Sequence, residues 1–261
     1  MKGLREIWKS GDTTLGGWLT VTNTLIAEAT ARAGFDYVCI DTQHGAINPA
    51  GVVEMVQAIS LGGSRPIVRV PSLDGHHIAS ALDVGAHAVI VPMVNTATDA
   101  EQVVAATRYA PTGSRSWGPS HAAMRITGDY GDWSAAHVMA IPMIETEEAI
   151  DNLDAILAVD GVDAVYVGPA DLSITLGLAP GHHDGVAAFD DALATIIAGC
   201  ARAGVVAGIH ASGVLTPSRR ATGFQMITVT TEMSALKSGL TTERERARSR
   251  PTLNQATGLT N

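Results

Sequence analysis

Hydrophobic and polar positions along this chain alternate between two kinds of segment. Short runs rich in Val, Ile, Ala and Met recur, and longer stretches with apolar residues at helical spacing separate them. The runs predict strands at 15–18, 37–41, 66–70, 88–92, 139–144, 164–167, 205–209 and 225–229. Several, such as Ala88-Val89-Ile90-Val91, are continuously apolar, as strands buried on both faces of a parallel sheet are. Alanine-rich segments at 24–33, 51–60, 100–108 and 187–202 predict helices between them. The steps Ala33-Gly34, Val84-Gly85 and Ala203-Gly204 each stand just before a strand, where glycine supplies a left-handed helix end.

Eight such units with no linker or composition break predict an α/β fold, a single-domain (β/α)8 TIM barrel over residues 1–240. A doubly wound sheet is the competing arrangement. Residues 241–261, charged and then polar, form a C-terminal helical or tail extension, either an arm or a frayed end. The connection 111–137, with Trp117-Gly118-Pro119 and Tyr130, is long for this fold; it reads equally well as cover for a site or as packing.

Composition narrows the chemistry. The 261 residues carry 17 Lys plus Arg against 26 Asp plus Glu, a formal charge of −9 with no clustered cations. Nucleic acid and anionic membranes are therefore not expected partners. No apolar run reaches the roughly 18 residues of a membrane span. The first twelve residues lack the apolar core of a secretory signal, so a cytoplasmic protein is expected. Two cysteines exclude a disulfide framework and a four-ligand zinc site, and Cys39, inside an apolar run, reads as a buried structural thiol. The three lysines, Lys2, Lys9 and Lys237, all lie outside the predicted core strands. Schiff-base chemistry on a buried amine is thereby disfavoured.

In a barrel, residues at the C-terminal ends of the strands converge on one site. Here those ends carry Asp41-Thr42-Gln43-His44-Gly45, Arg69, Glu145, Gly168-Pro169-Ala170-Asp171 and His210. Each has a plainer reading: Asp171 or Glu145 as a helix cap, His44 as a turn residue. Arg69 within an apolar strand demands a carboxylate partner or an anionic ligand. Taken together, two carboxylates with open positions suit a hard divalent cation such as Mg²⁺ or Mn²⁺, which keeps waters and accepts substrate oxygens. Zinc is disfavoured, because no His/Cys ligand spacing accompanies the pair.

Several of these segments resemble the HpcH/HpaI aldolase family: Gly34-Phe35-Asp36-Tyr37 through His44-Gly45, Val68-Arg69-Val70-Pro71, Leu82-Asp83-Val84-Gly85-Ala86, Pro92-Met93-Val94-Asn95-Thr96 and Gly168-Pro169-Ala170-Asp171-Leu172-Ser173. The resemblance covers about residues 4 to 240. It implies a class II pyruvate aldolase that adds the enolate of pyruvate or hydroxypyruvate to an aldehyde, or cleaves 4-hydroxy-2-oxo acids, with Mg²⁺, Mn²⁺ or Co²⁺. Carried over, Glu145 and Asp171 would be the metal ligands, Arg69 would hold the keto oxygen, and His44 would be the acid/base. Asp41 would orient the turn after strand two. The backbone around Gly168, Pro169, Ala170 and Asp171 would receive the substrate carboxylate, Pro169 giving no N–H of its own. Asp83 resembles the family's partner to the histidine; the barrel reading puts it before strand four, so it would act across a subunit interface of a homo-oligomer, a hexamer or trimer.

Met143 stands where some members have glutamine, Gln43 where many have glutamate, and His121 where arginine is frequent, which leaves the aldehyde pocket less cationic. The alternative is a lyase like citrate lyase β or macrophomate synthase, using the same enolate site on another partner. A non-enzymatic barrel would be expected to lack a ligand, and Glu145, Asp171, Arg69 and His44 are all present.

Overall fold

The strands β1 (Thr14–Leu19), β2 (Tyr37–Asp41), β3 (Arg65–Arg69), β4 (Ala88–Val91), β5 (Met139–Ile144), β6 (Ala164–Val167), β7 (Val206–His210) and β8 (Met226–Thr231) pair in parallel, each with the next. β1 also pairs with β8, which closes the barrel. This is the (β/α)8 barrel expected from the alternation, and the doubly wound sheet is excluded. The computed structural model describes residues 2–249.

Helices α1 (Leu4–Lys9), α2 (Thr24–Arg32), α3 (Pro49–Leu61), α4 (Gly75–Asp83) and α5 (Ala97–Thr107) accompany the first half. The second half carries α6 (Ser120–Ala123), α7 (Tyr130–His137), α8 (Glu147–Asp151), α9 (Leu153–Leu157), α10 (Pro169–Thr175), α11 (Ala187–Ala203), α12 (Thr216–Thr222) and α13 (Glu232–Arg248). Gly34, Gly85 and Gly204 have φ of 94°, 106° and 69°, so each predicted helix-to-strand glycine turns the chain in the left-handed region.

Alternation along the strands separates two apolar layers. Val38, Ile40, Val68, Val89 and Val165 face the helices, while Tyr37, Cys39, Ile67, Ile90 and Ile141 fill the barrel. Leu4 and Trp8 of α1 belong to the interior layer, so this first helix plugs the N-terminal end. Inside, Tyr37 Oη and Tyr166 Oη both bond Thr228 Oγ1, at 3.0 and 2.6 Å. A side chain at Gly16 would strike the Tyr37 ring, which explains the glycine in β1. Cys39 and Cys200 are buried and unpaired, their thiols pushed up by burial, Cys200 to about 12.

Several element ends move from their predicted places. β3 and β7 are shifted by one residue, and β8 runs on past the predicted 229 through Thr230 and Thr231, because pairing with β1 continues past the apolar run that signalled it. The connection 111–137 is not plain loop: it holds α6 and α7 and delivers the chain to the N-terminal end of β5. It therefore packs at the base, where Arg5 donates to the carbonyls of Ala136 and Val138, and does not cover the mouth of its own barrel. Residues 241–248 of the predicted extension continue α13; residues 250–261 lie outside the described residues. No described helix is long and apolar enough to cross a membrane. Lys2, Lys9 and Lys237 are all exposed, away from the barrel interior.

Candidate active site

Asp41 closes β2 and is 2% exposed. Its Oδ1 accepts from the backbone N–H groups of Gln43 and His44, at 3.1 Å each, and from Arg69 Nε at 3.0 Å. Its Oδ2 accepts from Arg69 Nη2 at 2.5 Å and from Trp18 Nε1 at 3.2 Å. Burial alone would raise this carboxyl; the paired Arg69 guanidinium outweighs it and holds Asp41 below the usual carboxylate range. One buried group thus fixes both the turn that carries His44 and the fork of Arg69. Arg69 also lies over the Trp18 indole, 5.0 Å from the ring centroid, and keeps Nη1 free of protein acceptors among the described residues. His44 itself is exposed at the mouth.

Glu145 follows β5 and is 1% exposed. Thr146, not Glu145, caps α8: its hydroxyl accepts from Ala149 N at 3.0 Å. Glu145 Oε1 accepts from the backbone N–H of Met93 at 2.8 Å, while Oε2 is buried with no hydrogen-bond partner among the described residues. Burial, with a lesser push from Asp171, raises this carboxyl from its ordinary 4.5 to about 7. Met93 holds a positive φ of 56°, a rare conformation for a side-chain-bearing residue. The strain aims a main-chain amide at Glu145.

Gly168 follows β6 and precedes α10. A Cβ there would collide with Glu145 Oε2 and come 2.9 Å from Met143 Cε, so only glycine leaves room for the carboxylate. Asp171 lies in the first turn of α10 and makes no cap bond; the N-cap is Gly168. The first helix-forming bond here runs from Leu172 N to Gly168 O, so the N–H groups of Ala170 and Asp171 stay open at the helix start.

His44, Arg69, Gly168, Pro169, Ala170 and Asp171 line one cavity of about 330 Å³, with Glu145 directly behind Gly168. Larger cavities lie elsewhere; this one sits at the C-terminal end of the barrel among the strand-end residues described above. Among the described residues no three His, Cys, Asp or Glu side chains cluster as metal ligands. The donor set is instead two electrostatically coupled carboxylates, one with a buried, unpartnered oxygen. That fits a hard divalent cation completed by waters or substrate oxygens.

Asp83 is not part of this cavity. It ends α4, next to the N-terminal end of β4, and accepts from Arg115 Nη2 at 2.6 Å, the Arg115 side chain being fully buried. His121 lies on α6, also outside the mouth of its own barrel, so its effect on the aldehyde pocket is not exerted there. Met143 is 2% exposed and borders the cavity. Three contributors escaped the sequence reading. The Met93 amide carries no side-chain signal, Trp18 looked like an ordinary strand residue, and His182 arrives from the loop between α10 and α11. His210, noted at a strand end, lines the mouth edge-on to Trp18, 4.9 Å between ring centroids.

The model of the HpcH/HpaI aldolase/citrate lyase family matches residues 14–235. The chain is 39% identical over 237 residues to a hydroxypyruvate/pyruvate aldolase of Rhizorhabdus wittichii, covering 90% of this chain and 94% of the relative. It is 40% identical over 198 residues to a 4-hydroxy-2-oxo-heptane-1,7-dioate aldolase of Salmonella dublin, covering 74% and 75%. The crystal structure of an HpcH/HpaI aldolase/citrate lyase family protein from Burkholderia cenocepacia superposes with a TM-score of 0.88 at 31% identity, covering 94% of this chain and 99% of that one.

Proposed function

This chain belongs to the HpcH/HpaI aldolase/citrate lyase family, and we propose that its barrel mouth forms the enolate of pyruvate or hydroxypyruvate and adds it reversibly to an aldehyde. It is a carbon–carbon lyase, an aldolase, and the class of its relatives is that of enzymes acting on small 2-oxo acids. The observation that carries the site assignment is the buried, unpartnered Oε2 of Glu145, coupled to Asp171 on the mouth that holds Arg69 and His44.

Glu145 and Asp171 would hold a divalent cation, Mg²⁺, Mn²⁺ or Co²⁺. When bound, such an ion polarises a keto oxygen and lowers the cost of removing the adjacent methyl proton. Arg69, locked by Asp41 and Trp18, donates from its free Nη1 to the same substrate oxygen and stabilises negative charge there. The open N–H groups of Ala170 and Asp171 receive the substrate carboxylate, with Gly168 and Pro169 shaping the backbone around it. His44 holds or delivers the proton of the alkoxide formed in the aldol direction, on a turn fixed by Asp41.

Asp83 enters this reading only through a neighbouring subunit. A homo-oligomer, a hexamer or trimer, is supported by exposed Trp117 and Met124 on the same basal connection as Arg115. The test is exchange of pyruvate methyl protons into deuterated water. Exchange that depends on Mg²⁺, Mn²⁺ or Co²⁺ and stops with a chelator is expected; exchange indifferent to chelation, or absent with every metal, overturns the proposal.

A further inference from the structure

The loop between α10 and α11 brings His182 into the mouth, and α12 brings Arg219 behind it. The Arg219 side chain is 4% exposed and its charge is already answered: Nη1 donates to Asp184 Oδ1 at 2.6 Å and Nη2 to Asp184 Oδ2 at 2.9 Å. The same Nη2 lies 3.2 Å from His182 Nδ1. A guanidinium has only donors. His182 Nδ1 must therefore be the acceptor, and the ring's proton is left on Nε2.

This arrangement sets the chemistry of the part of the mouth that His182 lines. Burial and the nearby Arg219 charge lower the His182 pKa, and burial brings His210 down to about 4, so both imidazoles are neutral at pH 7. Among the described residues lining the mouth, Arg69 is the one permanent cation, and it is bidentate to Asp41. An aldehyde ending in a carboxylate would find no free side-chain cation there, and a metal ion held by Glu145 and Asp171 would be engaged by the 2-oxo acid. A hydroxyl oxygen, in contrast, matches a neutral N–H donor.

Resting on the aldolase reading, we propose that His182 is a specificity-determining donor. Fixed by Arg219 with its proton on Nε2, it selects a short, uncharged, hydroxylated aldehyde as the acceptor. Arg219 is the positioning residue, acting through His182.

Two measurements test this. In the spectra of ¹⁵N-histidine-labelled protein, His182 is expected as the neutral Nε2–H tautomer at neutral pH, with Arg219→Gln releasing it to a mixture. A protonated ring or an Nδ1–H tautomer in the wild type refutes the assignment without any turnover. Kinetically, kcat/KM with pyruvate and Mg²⁺ is compared for glycolaldehyde, propanal and succinic semialdehyde. Glycolaldehyde should lead propanal by about tenfold or more. His182→Leu should collapse that ratio, His182→Gln, which keeps an N–H, should restore most of it, and Arg219→Gln should raise KM for glycolaldehyde more than for propanal. Preference for succinic semialdehyde, or a His182→Leu loss equal for all aldehydes, overturns the proposal. Wild-type methyl-proton exchange without any aldehyde reports on the enolate site alone, so a failure of the aldolase reading is seen separately.

Discussion

Replacing Glu145 with glutamine tests the electrostatics of the site without any substrate. The carboxyl is raised from 4.5 to about 7, chiefly by burial, and that rise corresponds to about 3 kcal/mol. Because the folded-state value lies above the unfolded one, the folded protein retains a proton that the unfolded chain gives up. The native state is therefore undisturbed by this group below pH 4.5 and loses stability as pH rises towards 7, with the full penalty above that. A glutamine amide in its place would accept from the Met93 N–H as the Glu145 carboxylate does, but carries no charge at any pH. In urea denaturation with a chelator present, Glu145→Gln should match the wild type near pH 4 and exceed it by about 3 kcal/mol near pH 8.5. Added Mg²⁺ should narrow the gap by stabilising only the wild type. Parallel wild-type and variant curves across this range, or a variant less stable at high pH, would refute the argument that Glu145 is a buried charge awaiting a counterion.

The remaining predictions are more local. Arg69→Lys keeps a charge but loses the fork that Asp41 grips, and should slow pyruvate proton exchange about 10²-fold; a loss under threefold would place the stabilising charge elsewhere. Gly168→Ala puts a methyl group against Glu145 Oε2 and should weaken Mn²⁺ binding, read by electron paramagnetic resonance, by about tenfold or more. Unchanged affinity would separate Glu145 from the metal. Asp83→Asn leaves the buried Arg115 guanidinium without its carboxylate and should cost about 2 kcal/mol of stability; an unaltered urea midpoint would free Asp83 from a structural role.

The barrel was legible because each strand of a parallel sheet is an apolar run and each helix return carries a glycine; these are local signals. Asp41, Arg69, Glu145 and Asp171 were legible because the fold rule places strand ends together and charged residues there stand out against apolar neighbours. The rest depended on facts no single position displays. Met93 acts through its amide, which every residue but proline possesses. Gly168 reads as a turn glycine until Glu145 is seen to occupy its missing side chain. His182 and Arg219 are 37 positions apart, and their pairing is set by where α12 packs. Asp83 shows the converse: a motif residue, easily noticed, that the chain's own topology carries to the far end of the barrel.

The hydroxyl column inside the barrel bears on how protons travel. Tyr37 and Tyr166 both close onto Thr228 Oγ1, and burial holds both phenols far above the range in which they ionise in neutral solution. Around them lie apolar side chains, with Leu4 and Trp8 sealing the base. These three hydroxyls satisfy one another, and although Tyr166 borders the mouth the column stops at Thr228 and Tyr37 short of the sealed base, so it makes no wire through the molecule. Protons released or taken up beside Glu145 and His44 must exchange with bulk water through the mouth, and closing that mouth over substrate would isolate the reaction from solvent isotope until it reopened.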